Sequence, residues 1–402
     1  MTGAVVPPGR DGTDIPVRTG LSGLRPEAHL LIALARLRID RTGQGAIRGF
    51  LTRHGAALDW GFFLDQAARH MVLPLVGRNL VRLRLTHGDD GRSLVPYHWI
   101  YAAVYEGNRR RNTAFAAEFA KVFRALAEAG IDYAVRKGPV LGEGVYLDRG
   151  ARRMSDLDVL LRRADFALFG EIAAEQGYTL GQQSADGRRI EPFDRRTQVY
   201  WKVNITNVAL PYIKLGHQDD LDQYILSGCF SLFQPMSGIR DDGEELLDRA
   251  VPTRLYGEPA RMLDPVDQLI DGCVQIHVEA NLLLHIENGK DLALRKFIDL
   301  AELLRLAPEG CLPEFEKRVA GYGCEESVAY ALHRTDELYP GSVPASLISR
   351  FPVSRPELLE EYGRFDGAPR CWEMPFAERL FDPRRSHVAR GRSQVPGPRS
   401  SI

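Results

Sequence analysis

Met154-Ser155-Asp156-Leu157-Asp158-Val159-Leu160-Leu161 is an apolar run broken by two carboxylates two residues apart. Read as a β-strand it alternates faces, so Asp156 and Asp158 point one way while Leu157, Val159 and Leu161 point into the opposite layer. Same-face neighbours on a strand lie about 6.5–7 Å apart at Cα. At that spacing two carboxylates can bracket one divalent cation or share two, as two-metal phosphoryl chemistry requires. An edge strand with a solvated acidic face would read the same way, so the flanks decide.

Upstream, residues 115–129 (FAAEFAKVFRALAEA) carry apolar side chains at helical spacing, and Gly130 stops them. Residues 131–135 predict a short strand, Arg136-Lys137-Gly138-Pro139 a turn rich in breakers, and residues 140–146 a second short helix. Asp148-Arg149-Gly150-Ala151-Arg152-Arg153 then leads into the acidic strand. Downstream, residues 164–176 predict an amphipathic helix ended by Gly177, followed by Tyr178-Thr179-Leu180. The turn is either a plain strand-to-helix connection or a phosphate cradle. In the second case Gly138 lets backbone N–H groups come close to a triphosphate, and Lys137 neutralises its β or γ oxygens. The helix that follows would point its positive end at the same phosphates. Arg152 either contacts phosphate or pairs with Asp148.

Lys137-Gly138, then Arg152-x-x-x-Asp156-x-Asp158, then a helix ending in Gly177-Tyr178, resembles the nucleotidyltransferase superfamily with its DNA polymerase beta-like fold. More narrowly it is similar to the bacterial family labelled "uncharacterised nucleotidyltransferase". The likeness spans roughly residues 25–310, through Leu58-Asp59-Trp60 and residues 67–75 upstream and His277 and residues 294–300 downstream. It implies an α+β fold, a small mixed sheet flanked by N- and C-terminal helical segments. It also implies a Mg²⁺- or Mn²⁺-dependent transfer of a nucleoside monophosphate, AMP from ATP by default, with release of pyrophosphate. Asp156 and Asp158 would hold the metal; Lys137, Gly138 and Arg152 would meet the nucleotide. The acceptor would be a small molecule or a protein.

A carboxylate on a neighbouring strand commonly completes such a site, and here the sequence departs from the resemblance. Residues 198–206 alternate, with Val199, Trp201, Val203 and Ile205 on one face and Tyr200, Lys202, Asn204 and Thr206 on the other. In that register Asn204 and Thr206 stand where the family tends to carry an acidic residue and a His. Asn ligates through its amide oxygen but has no charge and cannot act as a base. Asp194 or Glu191 could supply the charge instead, two aspartates could suffice, or the chain could bind nucleotide without turning it over. The last alternative covers a regulatory module or an antitoxin-type partner-binding protein.

The rest of the 402 residues bounds the class. A net charge of −1 argues against a dedicated polynucleotide binder. No stretch approaches the roughly 20 apolar residues a membrane crossing needs, and the expectation is a cytoplasmic protein with no membrane association. Five scattered cysteines contain no Cys-x-x-Cys pair, which points to reduced thiols. Residues 1–24 read as a disordered leader, 25–111 as an N-terminal helical segment, 112–220 as the transferase core, 221–381 as a mainly helical domain and 382–402 as a mobile tail. Asp59 and Asp264, the latter before Pro265, read as helix caps. Cys273, His277, Asn281 and His285 recur every four residues; strung along one helix they describe a packing seam better than a metal site. Asp299 reads as structural, either paired with a base such as Arg295 or capping a neighbouring helix. Arg78, Arg82 and Arg84 read as a solvated helix face, and Arg109-Arg110-Arg111 diverge too far to grip one anion.

Overall fold

The structure is a computed structural model, described here for Leu21, residues 23–218 and residues 221–384. Most of the leader and nearly all of the tail read from the sequence lie outside the described residues. In chain order the N-terminal helices are α1 (Pro26–Leu34), α2 (Arg41–His54), α3 (Trp60–Arg69), α4 (Leu73–Arg82) and the long α5 (His98–Glu128). The core follows as β1 (Tyr133–Arg136), α6 (Gly138–Leu141, running on through a π turn at Gly142–Tyr146), β2 (Leu157–Leu161), α7 (Phe166–Glu175), β3 (Thr179–Gln183) and β4 (Ile190–Pro192). Next come α8 (Arg195–Asn204), β5 (Tyr212–Gln218), β6 (Leu221–Cys229), α9 (Gly243–Arg249), β7 (Val251–Leu255) and β8 (Glu258–Met262). The C-terminal helices include α10 (Pro265–Asn281), α11 (Leu283–Glu287), α12 (Leu294–Leu306), α13 (Leu312–Tyr322) and α14 (Glu325–Leu338).

The fold is α+β, with helices at both ends of the described chain, as the sequence implies. Its sheet is larger than expected: eight strands in the order β4-β3-β5-β6-β2-β1-β8-β7, so it runs on past residue 220 to Met262. The sheet is mixed, with β1 antiparallel to β2 and β6 parallel to β2. Alternation sorts the two faces of the central strands. Leu157, Val159 and Leu161 of β2 pack with Phe115, Phe119 and Phe123 of α5 in one core. Ala134, Leu160 and Cys229, on the other face, join the core built with α10, α12 and α14. Asp158 and Arg136, directly paired across β1 and β2, therefore face the C-terminal helices.

Local signals place these helices. Asp59 Oδ1 accepts the Phe62 N–H at 2.9 Å and Asp264 Oδ1 accepts the Val266 N–H at 3.0 Å, so both predicted caps form. Gly177 takes a positive φ of 84°, which terminates α7 where the sequence predicts. The segment read as a third strand folds otherwise. Residues 195–204 form α8, capped by Asp194 Oδ1 on the Thr197 N–H at 2.7 Å. No residue of α8 is buried, so the period-two pattern there reported no packing face. No helix among the described residues is long and apolar enough to cross a membrane.

Candidate active site

The acidic strand begins at Leu157 rather than near Met154, leaving Asp156 in the loop at its mouth and Asp158 within the strand. α5 fixes that loop from below. Asn108 Nδ2 donates to the Gly150 carbonyl at 2.8 Å, Asn112 Nδ2 to the Arg152 carbonyl at 2.7 Å, and Arg111 to the Met154 carbonyl. Arg111 thus holds backbone in place, while Arg109 pairs with Glu106 on the helix surface. Of the three arginines read as a solvated face, Arg82 and Arg84 are exposed, although Arg82 also reaches Asp148 at 3.0 Å, whereas Arg78 is largely covered and pairs with Asp148 at 2.9 Å.

Asp148 is thereby engaged, and Arg152 pairs elsewhere. Its Nη2 lies 2.8 Å from Asp299 Oδ2, and Asp299 also accepts from the Tyr146 hydroxyl at 2.9 Å. Asp299 is structural, but its partner is Arg152 rather than Arg295. Arg152 sits close behind the turn, since a Cβ at Gly138 would lie 3.9 Å from its Nη1 and 3.6 Å from the Asp156 carbonyl. Those are ordinary contacts, so Gly138 is not there for steric clearance. Lys137 is the residue in the unusual conformation, at φ 53° and ψ −108°. Holding a non-glycine residue there costs on the order of 1–3 kcal/mol, a strain that recurs at functional sites.

These groups open on a cavity of about 240 Å³ lined by Lys137, Gly138, Arg152, Ser155, Asp156 and Asp158 from the core. Gln268, Asp271 and Gln275 of α10 and Arg295, Lys296 and Asp299 of α12 line the facing wall. The α10 set escapes a reading of the sequence because the His277 row on the same helix gives the stronger pattern. The spacing of Gln268, Asp271 and Gln275, three then four residues, marks one helical stripe and could have found them. His277 packs instead in the seam with α14, its Nδ1 2.8 Å from Ser327 Oγ.

Asn204, Lys202 and Asp194 do not come to the cavity. Asn204 Nδ2 donates to the Tyr200 carbonyl one helical turn back, at 2.8 Å. The strand beside β2 is β6, and the residue opposite Asp158 on it is Ser227, not a carboxylate. Among the described residues no three His, Cys, Asp or Glu side chains converge as a metal site.

The electrostatics centre on Asp158. Burial first, and the Asp156 charge second, push its pKa up to about 6 against the opposing pull of Lys137 and Arg136. Arg136 is itself spoken for, paired at 2.7 Å with Asp271, and Lys296 pairs with Glu279. The cavity therefore presents a negative pole at Asp156 and Asp158 next to the Lys137 turn. A family model described as an uncharacterised nucleotidyltransferase matches residues 56–340.

The chain belongs to this nucleotidyltransferase family. The match begins later and ends later than the likeness in the sequence motifs, and it takes in both walls of the cavity. No curated protein matches the chain.

Proposed function

We propose that the cavity transfers a nucleoside monophosphate, AMP from ATP by default, to a hydroxyl or similar group of a small molecule or protein, releasing pyrophosphate. The observation that carries this reading is the pair Asp156 and Asp158, joined by no ion pair among the described residues, beside the Lys137 turn. The residues suit Mg²⁺. Asp158 is a half-buried carboxylate pressed against a second one, and a cation between them would relieve both. Mg²⁺ commonly takes only one or two carboxylates and fills its shell with water and phosphate oxygens, so a third protein ligand is not required. Mn²⁺ accepts the same oxygen ligands. Bound there with nucleotide, the ion would offset phosphate charge and polarise the α-phosphorus.

The protein's own part is to place charge. Asp156 and Asp158 hold the ion, Lys137 offsets the departing phosphates, and Arg152, tied to Asp299, props the turn rather than touching nucleotide. The net charge of −1 favours a small molecule or protein acceptor over a polynucleotide. Ser227 opposite Asp158 supports a second reading, because a serine hydroxyl is no general base at neutral pH. In that reading the protein binds nucleotide without turnover, as a regulatory or antitoxin-type partner-binding module.

Pyrophosphate release and label transfer from each of the four NTPs, with Mg²⁺ or Mn²⁺ and a panel of acceptors, separates the two. The wild type is expected to release pyrophosphate, and Asp156→Asn and Asp158→Asn to lose at least about a hundredfold. Asn204→Ala, away from the cavity, is expected to keep wild-type activity. Nucleotide binding with no pyrophosphate under any condition would favour the second reading.

A further inference from the structure

The charges lining the cavity sort into those already matched and those left over. Asp299 is matched by Arg152, Asp271 by Arg136, and Lys296 by Glu279. Among the described residues four lining charges make no ion pair: Asp156, Asp158, Lys137 and Arg295. Two are the acids assigned to the metal, and one is the lysine of the turn. The fourth, Arg295, comes from the opposite wall, at the first turn of α12.

Arg295 is held in place but not neutralised. Its Nη1 donates to the Arg153 carbonyl at 3.1 Å, which ties the guanidinium to the loop that carries Asp156. Its Nε–H is buried with no acceptor. Burial and the neighbouring Arg152 charge depress its pKa below the ordinary guanidinium value, the mark of a cation short of counter-charge. A buried N–H donor without an acceptor is costly, and an arriving anion would supply one. A guanidinium offers several donors in a planar fork, which suits phosphate oxygens.

We infer that Arg295 is a phosphate-binding residue of the nucleotide site, gripping the β- and γ-phosphates from the helical wall while Lys137 grips them from the sheet. This rests on the transferase reading. The β,γ portion carries most of the triphosphate charge and leaves as pyrophosphate, and Lys137 and Arg295 are the two lining cations left to offset it. The inference also gives the C-terminal helices a share in nucleotide recognition.

Calorimetric titration of the full chain with ATP, ADP and AMP in Mg²⁺, for wild type, Arg295→Ala and Arg295→Lys, tests it. Arg295→Ala is expected to weaken ATP by about tenfold to a hundredfold, the range of a charge-assisted hydrogen bond, and AMP by less than about twofold. Arg295→Lys should recover part of the ATP loss, because the charge returns without the fork. A structural role alone would weaken ATP and AMP alike, and that result, or no change in either, would overturn the inference. A wild type that binds no nucleotide would instead overturn the transferase reading beneath it.

Discussion

Asp158 stays ionised at neutral pH against both its burial and the charge of Asp156. A carboxylate whose folded pKa is raised to about 6 stabilises the fold only where it is protonated, and that contribution is lost as pH rises from about 4 through about 6. Asp158→Asn in chelator-treated buffer is therefore expected to be more stable than wild type at pH 7.5, by on the order of 1–3 kcal/mol. The advantage should shrink to nothing near pH 4, and urea unfolding at both pH values checks it. An equal difference at the two pH values would show that charge is not the cause. The pair Asp156 and Asp158 was legible in the sequence because two acids inside an apolar run have no packing reason to be there. Arg295 was not, since its lack of a carboxylate becomes visible only once Asp299 is seen to belong to Arg152.

The elements that could be read were those whose signals are local. β1, the turn, α6 and β2 follow one another within a few tens of residues, each bounded by its own breakers, and their order came through with boundaries shifted by up to three residues. α8 failed for a physical reason: a helix with no buried residue has no apolar stripe, and the alternating Val199, Trp201, Val203 and Ile205 of that segment mimicked a strand. The cap at Asp194 was the contrary signal. The pairing of β6 with β2 was out of reach, because a long connection separates strands that become neighbours. Arg152 and Asp299 tie these elements together, with side chains only 7% and 13% exposed. Asp299→Ala would strand a buried guanidinium and is expected to cost about 3–5 kcal/mol. Replacing both partners, Arg152→Met with Asp299→Leu, should cost far less, and urea midpoints at unchanged m-value measure the contrast.

Across the whole molecule, the helices behind the cavity are locked by a seam that is sensitive to acid. His277 is buried between α10 and α14, and burial, aided by Arg364, lowers its pKa to about 3. The unfolded chain therefore binds a proton there between about pH 6.5 and 3 that the folded chain refuses, so stability falls as pH drops through that window. His29 and His285, also held low by burial, act in the same direction. His277→Gln is expected to flatten the acid limb of a stability–pH curve relative to wild type, read from unfolding free energies between pH 7 and 4. An unchanged slope would remove His277 as a cause. Because the walls of the cavity come from distant parts of the chain, the site also has a birth order. Arg152 and Asp299 are 147 residues apart, so at ordinary synthesis rates about 7–30 s pass between their emergence from the ribosome. A nascent chain that has reached the acidic strand but not α12 has no helical wall, and its Arg152 waits without the carboxylate that will hold it.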